Sequence, residues 1–140
     1  MSNLRLTYEV IAGDMGRAGE ASSAVKQTLR KMGFDSDTIR RVSVCMYEGE
    51  INMVIHANGG VAEVDVSLDD ITITLRDTGP GIPDIAKAMQ EGFSTAGDHA
   101  RNLGFGAGMG LPNMKKYSDE MTVESTVGVG TTVTMVVHAS

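Results

Sequence analysis

The chain has no tryptophan, one cysteine, three prolines and an aromatic share of only 4%. A single cysteine, Cys45, excludes an internal disulfide and a metal site built on several thiolates. It suits a reducing, intracellular setting. Positive charge is scarce as well: 12 Lys and Arg stand against 18 Asp and Glu, a formal net charge of −6. Nucleic acids and anionic membranes recruit basic patches, so neither is expected as a partner. No run of about 18 apolar residues occurs, which leaves no candidate membrane helix. The opening residues, MSNLRLTYEV, lack the apolar stretch of a signal peptide. The expectation is one cytoplasmic domain over residues 1–140, long enough to bury a core. Abundance lies in glycine, 17 residues, and methionine, ten. So many methionines suggest an adaptable core or a partner-binding face.

Residues 4–11 alternate Leu4, Leu6, Tyr8 and Val10 with Arg5, Thr7 and Glu9, which predicts a strand. Asp14 is a candidate cap for a helix through about Met32, with Gly33 as its stop. Asp35 or Ser36 opens a second helix, whose apolar positions Ile39, Val42, Met46, Ile51, Val54 and Ile55 carry it to about Ala57. Strands are predicted at 61–68 and 71–76, joined by Asp69-Asp70 as an antiparallel hairpin. Residues 77–108 read as irregular, with a short helix from Asp84 to Gln90. A third helix is predicted from Met109 to Tyr117, and a hairpin of 121–126 and 131–138 around Gly128-Val129-Gly130. Strands in antiparallel pairs with helices between them predict an α+β fold. Its form would be a two-layer sandwich: one mixed, mostly antiparallel sheet with helices on one face.

Three stretches carry the candidate chemistry. The first, GFGAGMGLP, places Gly104, Gly106, Gly108 and Gly110 at alternate positions ahead of a helix. A glycine loop running into a helix start offers free N–H groups and a favourable dipole to an anion such as phosphate. It matches neither G-x-x-x-x-G-K-[ST] nor G-x-G-x-x-G, and a flexible loop with a helix cap would leave the same pattern. The second, DTGPGIP, sets Asp77 at a strand end before Gly79 and Gly81. A carboxylate there would accept from the exocyclic amine of adenine and repel the oxygen of guanine, but a plain turn uses the same residues. The third, EGEINMVIHANGG, places Glu48 and Asn52 one above the other on a helix, with His56 a turn further on. An acid beside an amide oxygen suits a general base next to a hard cation such as Mg²⁺. A solvated polar face is the alternative. Glu50 and Asn58 lie off that line and read as ordinary surface residues.

In this order EGEIN, DTGPGIP, GFGAGMGL and GVGTT resemble the N, G1 and G2 boxes and the closing Gly-Thr of the GHKL ATPases. Those include DNA gyrase, the Hsp90 chaperones, the MutL repair proteins and the sensor histidine kinases. The resemblance covers the chain from the second helix to the last strand. With no room for a transducer domain or a phosphoacceptor helix pair, the chain is most similar to the anti-sigma-factor serine kinases and the related switch kinases. The DIAKAMQEGFSTA stretch resembles the switch-kinase branch.

The resemblance implies a set of roles. Glu48 is the general base, and Asn52 binds the Mg²⁺ that bridges the phosphates of ATP. Asp77 receives the adenine amine, supported through water by Thr131, with Gly79 and Gly81 along the adenine edge. Gly104, Gly106, Gly108 and Gly110 wrap the phosphates, helped by the helix start at Met109. Residues 91–103 form a lid that holds His99 and Arg101. His56 is expected to be packed or hydrogen-bonded. The implied activity is phosphoryl transfer from Mg-ATP to a serine or threonine of a STAS-type anti-sigma-factor antagonist. A sigma factor or a phosphatase is a second possible partner. A homodimer would form through the hairpin face near Val133–Val137 or through the first strand. An ATPase and a nucleotide-gated binding module would keep the same residues.

Overall fold

In the computed structural model the described residues are 4–11, 13, 17–56, 59–79, 81–82, 85, 89 and 110–139, without the side chains of 55 and 56. The elements run β1 (Leu4–Val10), α1 (Glu20–Lys31), α2 (Ser36–His56), β2 (Gly60–Val66), β3 (Asp70–Asp77), α3 (Gly110–Tyr117), β4 (Glu120–Thr126) and β5 (Gly130–His138). The strands form one sheet in the order β1-β2-β3-β5-β4. Every pairing between them is antiparallel.

Alternation in the sequence decides which side is covered. On β2, β3 and β5 every second residue is buried: Ala62, Val64 and Val66; Ile71, Ile73 and Leu75; Val133, Met135 and Val137. Successive strand side chains point to opposite faces, so these nine form one apolar surface. The helices close over it with Val25 and Leu29 of α1, Val42 and Met46 of α2, and Leu111 and Met114 of α3. Among the described residues, four methionines (46, 53, 114 and 135) are buried in this core. The opposite face carries threonines and charges, with Arg5 paired to Asp65 and Glu63, and Arg76 paired to Glu63. The α+β sandwich expected from the sequence is the fold observed.

Val133, Met135 and Val137 belong to this core, so of the hairpin face near Val133–Val137 only Thr134 and Val136 point away from the helices. The side of β5 away from the helices presents Thr132, Thr134 and Val136.

The first helix departs from its expected start. Asp14 lies outside the described residues, and α1 begins only at Glu20. Gly19, at φ 97°, holds a left-handed conformation that a helix cannot continue through. Among the described residues, no side chain of its own segment caps α1. The carboxylate of Glu50, on α2, does so instead. It accepts the N–H groups of Gly19 at 2.9 Å, Ala21 at 3.3 Å and Ser22 at 3.2 Å. Glu50 is only 4% exposed. It is a buried structural acid rather than the surface residue expected. Its burial is tolerable because a charge taken from water needs several donors, and the helix end supplies them.

Two further ties anchor α3. Cys45 is fully buried, its thiol directed at the carbonyl of Met114 at 3.7 Å, and burial pushes that thiol up to about 12. Arg41 donates to the Tyr117 carbonyl at 3.3 Å and to Asp119 at 2.5 Å. These join α2 to the last turn of α3. The expected short helix at 84–90 falls outside the described residues except for Ile85 and Met89. No helix among the described residues is long and apolar enough to cross a membrane.

Candidate functional site

One end of the sheet and the middle of α2 carry the residues that the sequence motifs single out. On α2, Glu48 and Asn52 share a face, both half-buried, as their four-residue spacing requires. Gly49 faces the sheet between them: a Cβ there would stand 2.0 Å from Cδ1 of Leu75. The helix therefore presses on β3 two residues before Asp77. The start of α3 lies over the same face. A Cβ on Gly110 would stand 2.9 Å from Oδ1 and 3.0 Å from Nδ2 of Asn52. One turn on, the Asn113 side chain hydrogen-bonds to Glu48. Burial raises the Glu48 carboxyl above the ordinary glutamate range, and the Asn113 bond offsets part of that rise. An acid held there is closer to the pH at which proton transfer is efficient.

The second cluster lies on β3, β4 and β5. Asp77 ends β3, and its Oδ1 accepts the N–H of Gly79 at 2.9 Å and of Thr131 at 3.1 Å. Among the described residues no hydrogen bond reaches Oδ2. Both amides engage one oxygen, which fixes the plane of the carboxylate and leaves the other as an oriented acceptor. Thr131 is 7% exposed. Its hydroxyl lies 2.8 Å from that of Ser125, its cross-strand partner. Ser125 also accepts the N–H of Ile82 at 2.7 Å. Two close approaches seat the 77–82 turn against the β4–β5 hairpin. A Cβ on Gly130 would stand 2.1 Å from the Asp77 carbonyl, and one on Gly81 would stand 2.6 Å from that of Thr126.

Of the expected site residues, Asp77, Gly79, Gly81 and Thr131 are brought together, and Glu48, Asn52 and Gly110 form the neighbouring group. Gly104, Gly106, Gly108 and Met109 lie outside the described residues, as do His99, Arg101, Asn58 and the side chain of His56. Sequence reasoning missed Asn113 and Ser125. Asn113 falls in a helix with no motif of its own. Ser125 could have been found by pairing the predicted hairpin about Gly128, which sets it opposite Thr131.

No group of three or more His, Cys, Asp or Glu side chains among the described residues could hold a metal ion. The donor set on α2 is one amide oxygen and one carboxylate, both hard oxygens. That set fits Mg²⁺, which takes one or two protein ligands and completes its shell with phosphate and water.

Comparison with known proteins gives a consistent placement. The model of the histidine kinase-, DNA gyrase B- and HSP90-like ATPases matches residues 37–140. The serine/threonine-protein kinase RsbT of Bacillus subtilis is 33% identical over 110 residues, 76% of this chain and 77% of that protein. An anti-sigma F factor of Geobacillus kaustophilus is 34% identical over 108 residues, 73% and 70% of the two chains. In fold, the chain resembles the RsbU and RsbW domains of Rv1364c from Mycobacterium tuberculosis. There the TM-score is 0.60 at 15% identity, over 99% of this chain and 33% of that one. It also resembles the mycobacterial sensor histidine kinase MprB, with a TM-score of 0.53 at 14% identity over 97% and 98%. The chain belongs to the histidine kinase-, DNA gyrase B- and HSP90-like ATPase family, an ATP-binding fold, among its serine/threonine-protein kinases and anti-sigma factors.

Proposed function

We propose that this protein serine/threonine kinase binds Mg-ATP between α2 and the glycine loop before α3, and phosphorylates a STAS-type antagonist of an anti-sigma factor. One observation carries the reading. The start of α3 lies on the acid–amide pair of α2, with Gly110 against Asn52 and Asn113 on Glu48. Phosphates wrapped by Gly104, Gly106, Gly108 and Gly110, with the amide of Met109, would meet both side chains. Asn52 would hold Mg²⁺, which supplies charge neutralisation to the phosphates. Oδ2 of Asp77 would accept the adenine amine, with Thr131 beside it and Gly79 and Gly81 along the ring edge.

In the transfer, the partner's hydroxyl oxygen forms a bond to the γ-phosphorus as the bond to the β-bridging oxygen breaks and ADP leaves. Glu48 takes the hydroxyl proton. The relatives named as anti-sigma F factors support a sigma factor as a second, sequestered partner in the cytoplasm. A homodimer would use β1, the outer strand of the sheet. The test is incubation with γ-labelled ATP and a candidate STAS protein. Label on a serine or threonine of the partner is the expected result. Free phosphate alone, or nucleotide-dependent capture without transfer, overturns the kinase reading.

A further inference from the structure

We propose that Ser125 sets the direction of the Thr131 hydroxyl and thereby decides which purine edge the site accepts. The inference rests on the reading of Asp77 and Thr131 as the base-recognition pair. Hydrogen-bond counting carries it. Ser125 has one proton and accepts the Ile82 N–H at 2.7 Å. Two acceptors compete for that proton: the Thr131 hydroxyl at 2.8 Å and the Gly130 carbonyl at 3.3 Å.

The choice inverts what Thr131 offers. Were Ser125 to donate to Gly130, Thr131 would have to donate to Ser125 and would face the site with lone pairs only. With Ser125 donating to Thr131, the Thr131 proton is left for the site. The second arrangement takes the shorter contact. It also forms a head-to-tail run from Ile82 N–H to Ser125 O–H to Thr131 O–H, in which each bond polarises the next.

Thr131, whose own N–H holds Oδ1 of Asp77, would therefore present a donor while Oδ2 of Asp77 presents an acceptor. Adenine offers the complement, an acceptor at N1 and a donor at the 6-amino group. A bridging water would not carry that polarity, because after accepting from Thr131 it has both a proton for N1 and a lone pair for N1–H, so the discrimination requires Thr131 to meet the base directly. Hypoxanthine and guanine carry N1–H and O6, which oppose both groups. An unmatched buried polar group costs far more than a matched one gains. Ser125 does not touch the base in this scheme; it is a positioning residue.

The test compares dissociation constants for ATP, ITP and purine-riboside triphosphate, by calorimetry on the full chain. The last ligand keeps the N1 acceptor and lacks the amine, so it reports the Asp77 contact alone. The parent should favour ATP over ITP on the order of a hundredfold, since two contacts are mismatched. Ser125→Ala should narrow that ratio about tenfold and leave the ratio of ATP to purine-riboside triphosphate unchanged. Ser125→Thr should restore the parental ratio. If the alanine variant fails to fold, Ser125→Cys, whose thiol is a weak donor, should give the same narrowing. A purely structural role would weaken all three ligands in parallel, and an unchanged ATP-to-ITP ratio overturns the inference. Failure of the underlying reading looks different: the parent shows no heat with ATP, or Asp77→Asn leaves ATP affinity intact, and the inference falls with it.

Discussion

Glu48 combines two demands that oppose each other. Its half-buried position raises the carboxyl, so the folded state favours the protonated form, whereas proton abstraction needs the charged one. A carboxyl raised on folding stabilises the fold below its unfolded-state value and loses that contribution as pH rises through the folded one. At neutral pH the ionised Glu48 therefore costs stability. Glu48→Gln should raise the melting temperature at pH 7, with the gain shrinking in acid, while phosphoryl transfer falls by about 10²–10⁴ and ATP binding persists. The acid limb of the parental rate profile should lie above the ordinary glutamate range. Differential scanning calorimetry and a kcat profile against pH read both outcomes. For Asp77, whose Oδ1 holds two amides, Asp77→Asn should weaken ATP binding about tenfold to a hundredfold, measured by calorimetry. Glu48 and Asp77 were legible because spacing on one element and position at a strand end define them. Glu50 was not: its burial follows from how α1 approaches α2, a relation between elements that no local pattern encodes.

Secondary structure was legible wherever one face is buried and the other is not. The β2–β3 and β4–β5 hairpins follow period-two alternation, and the ends of α2 follow Asp35-Ser36 and the glycines after residue 58. The start of α1 was misread because its cap comes from another helix. That cap allows a direct check. Glu50→Ala strips the acceptor from Gly19, Ala21 and Ser22. It should cost about 2–3 kcal/mol in urea unfolding, more than a lost surface cap, because the donors are left buried. Glu50→Gln keeps one acceptor but sets an NH₂ among N–H groups, and should fall between alanine and the parent.

At the scale of the molecule, Arg41 gathers distant parts of the chain. It reaches the Tyr117 carbonyl, the Asp119 carboxylate and, at 3.5 Å, the His138 carbonyl. Asp119 also accepts the His138 N–H at 2.6 Å. That backbone bond first, and then Arg41, holds the Asp119 carboxyl below its ordinary range. A depressed carboxyl stabilises the fold above its unfolded-state value and loses this as pH falls through the folded one. Arg41→Ala should cost about 1 kcal/mol at pH 7, given the partial exposure of the pair, and less below pH ~4. Urea curves at the two pH values decide it.

The run Glu48-Gly49-Glu50 sends three consecutive residues of α2 to three destinations: the α3 side chains, the sheet and the start of α1. Such a helix has no idle rotation left. A library randomised at these three codons should yield far fewer folded clones than one randomised across Thr72, Thr74 and Arg76 on the side of the sheet away from the helices.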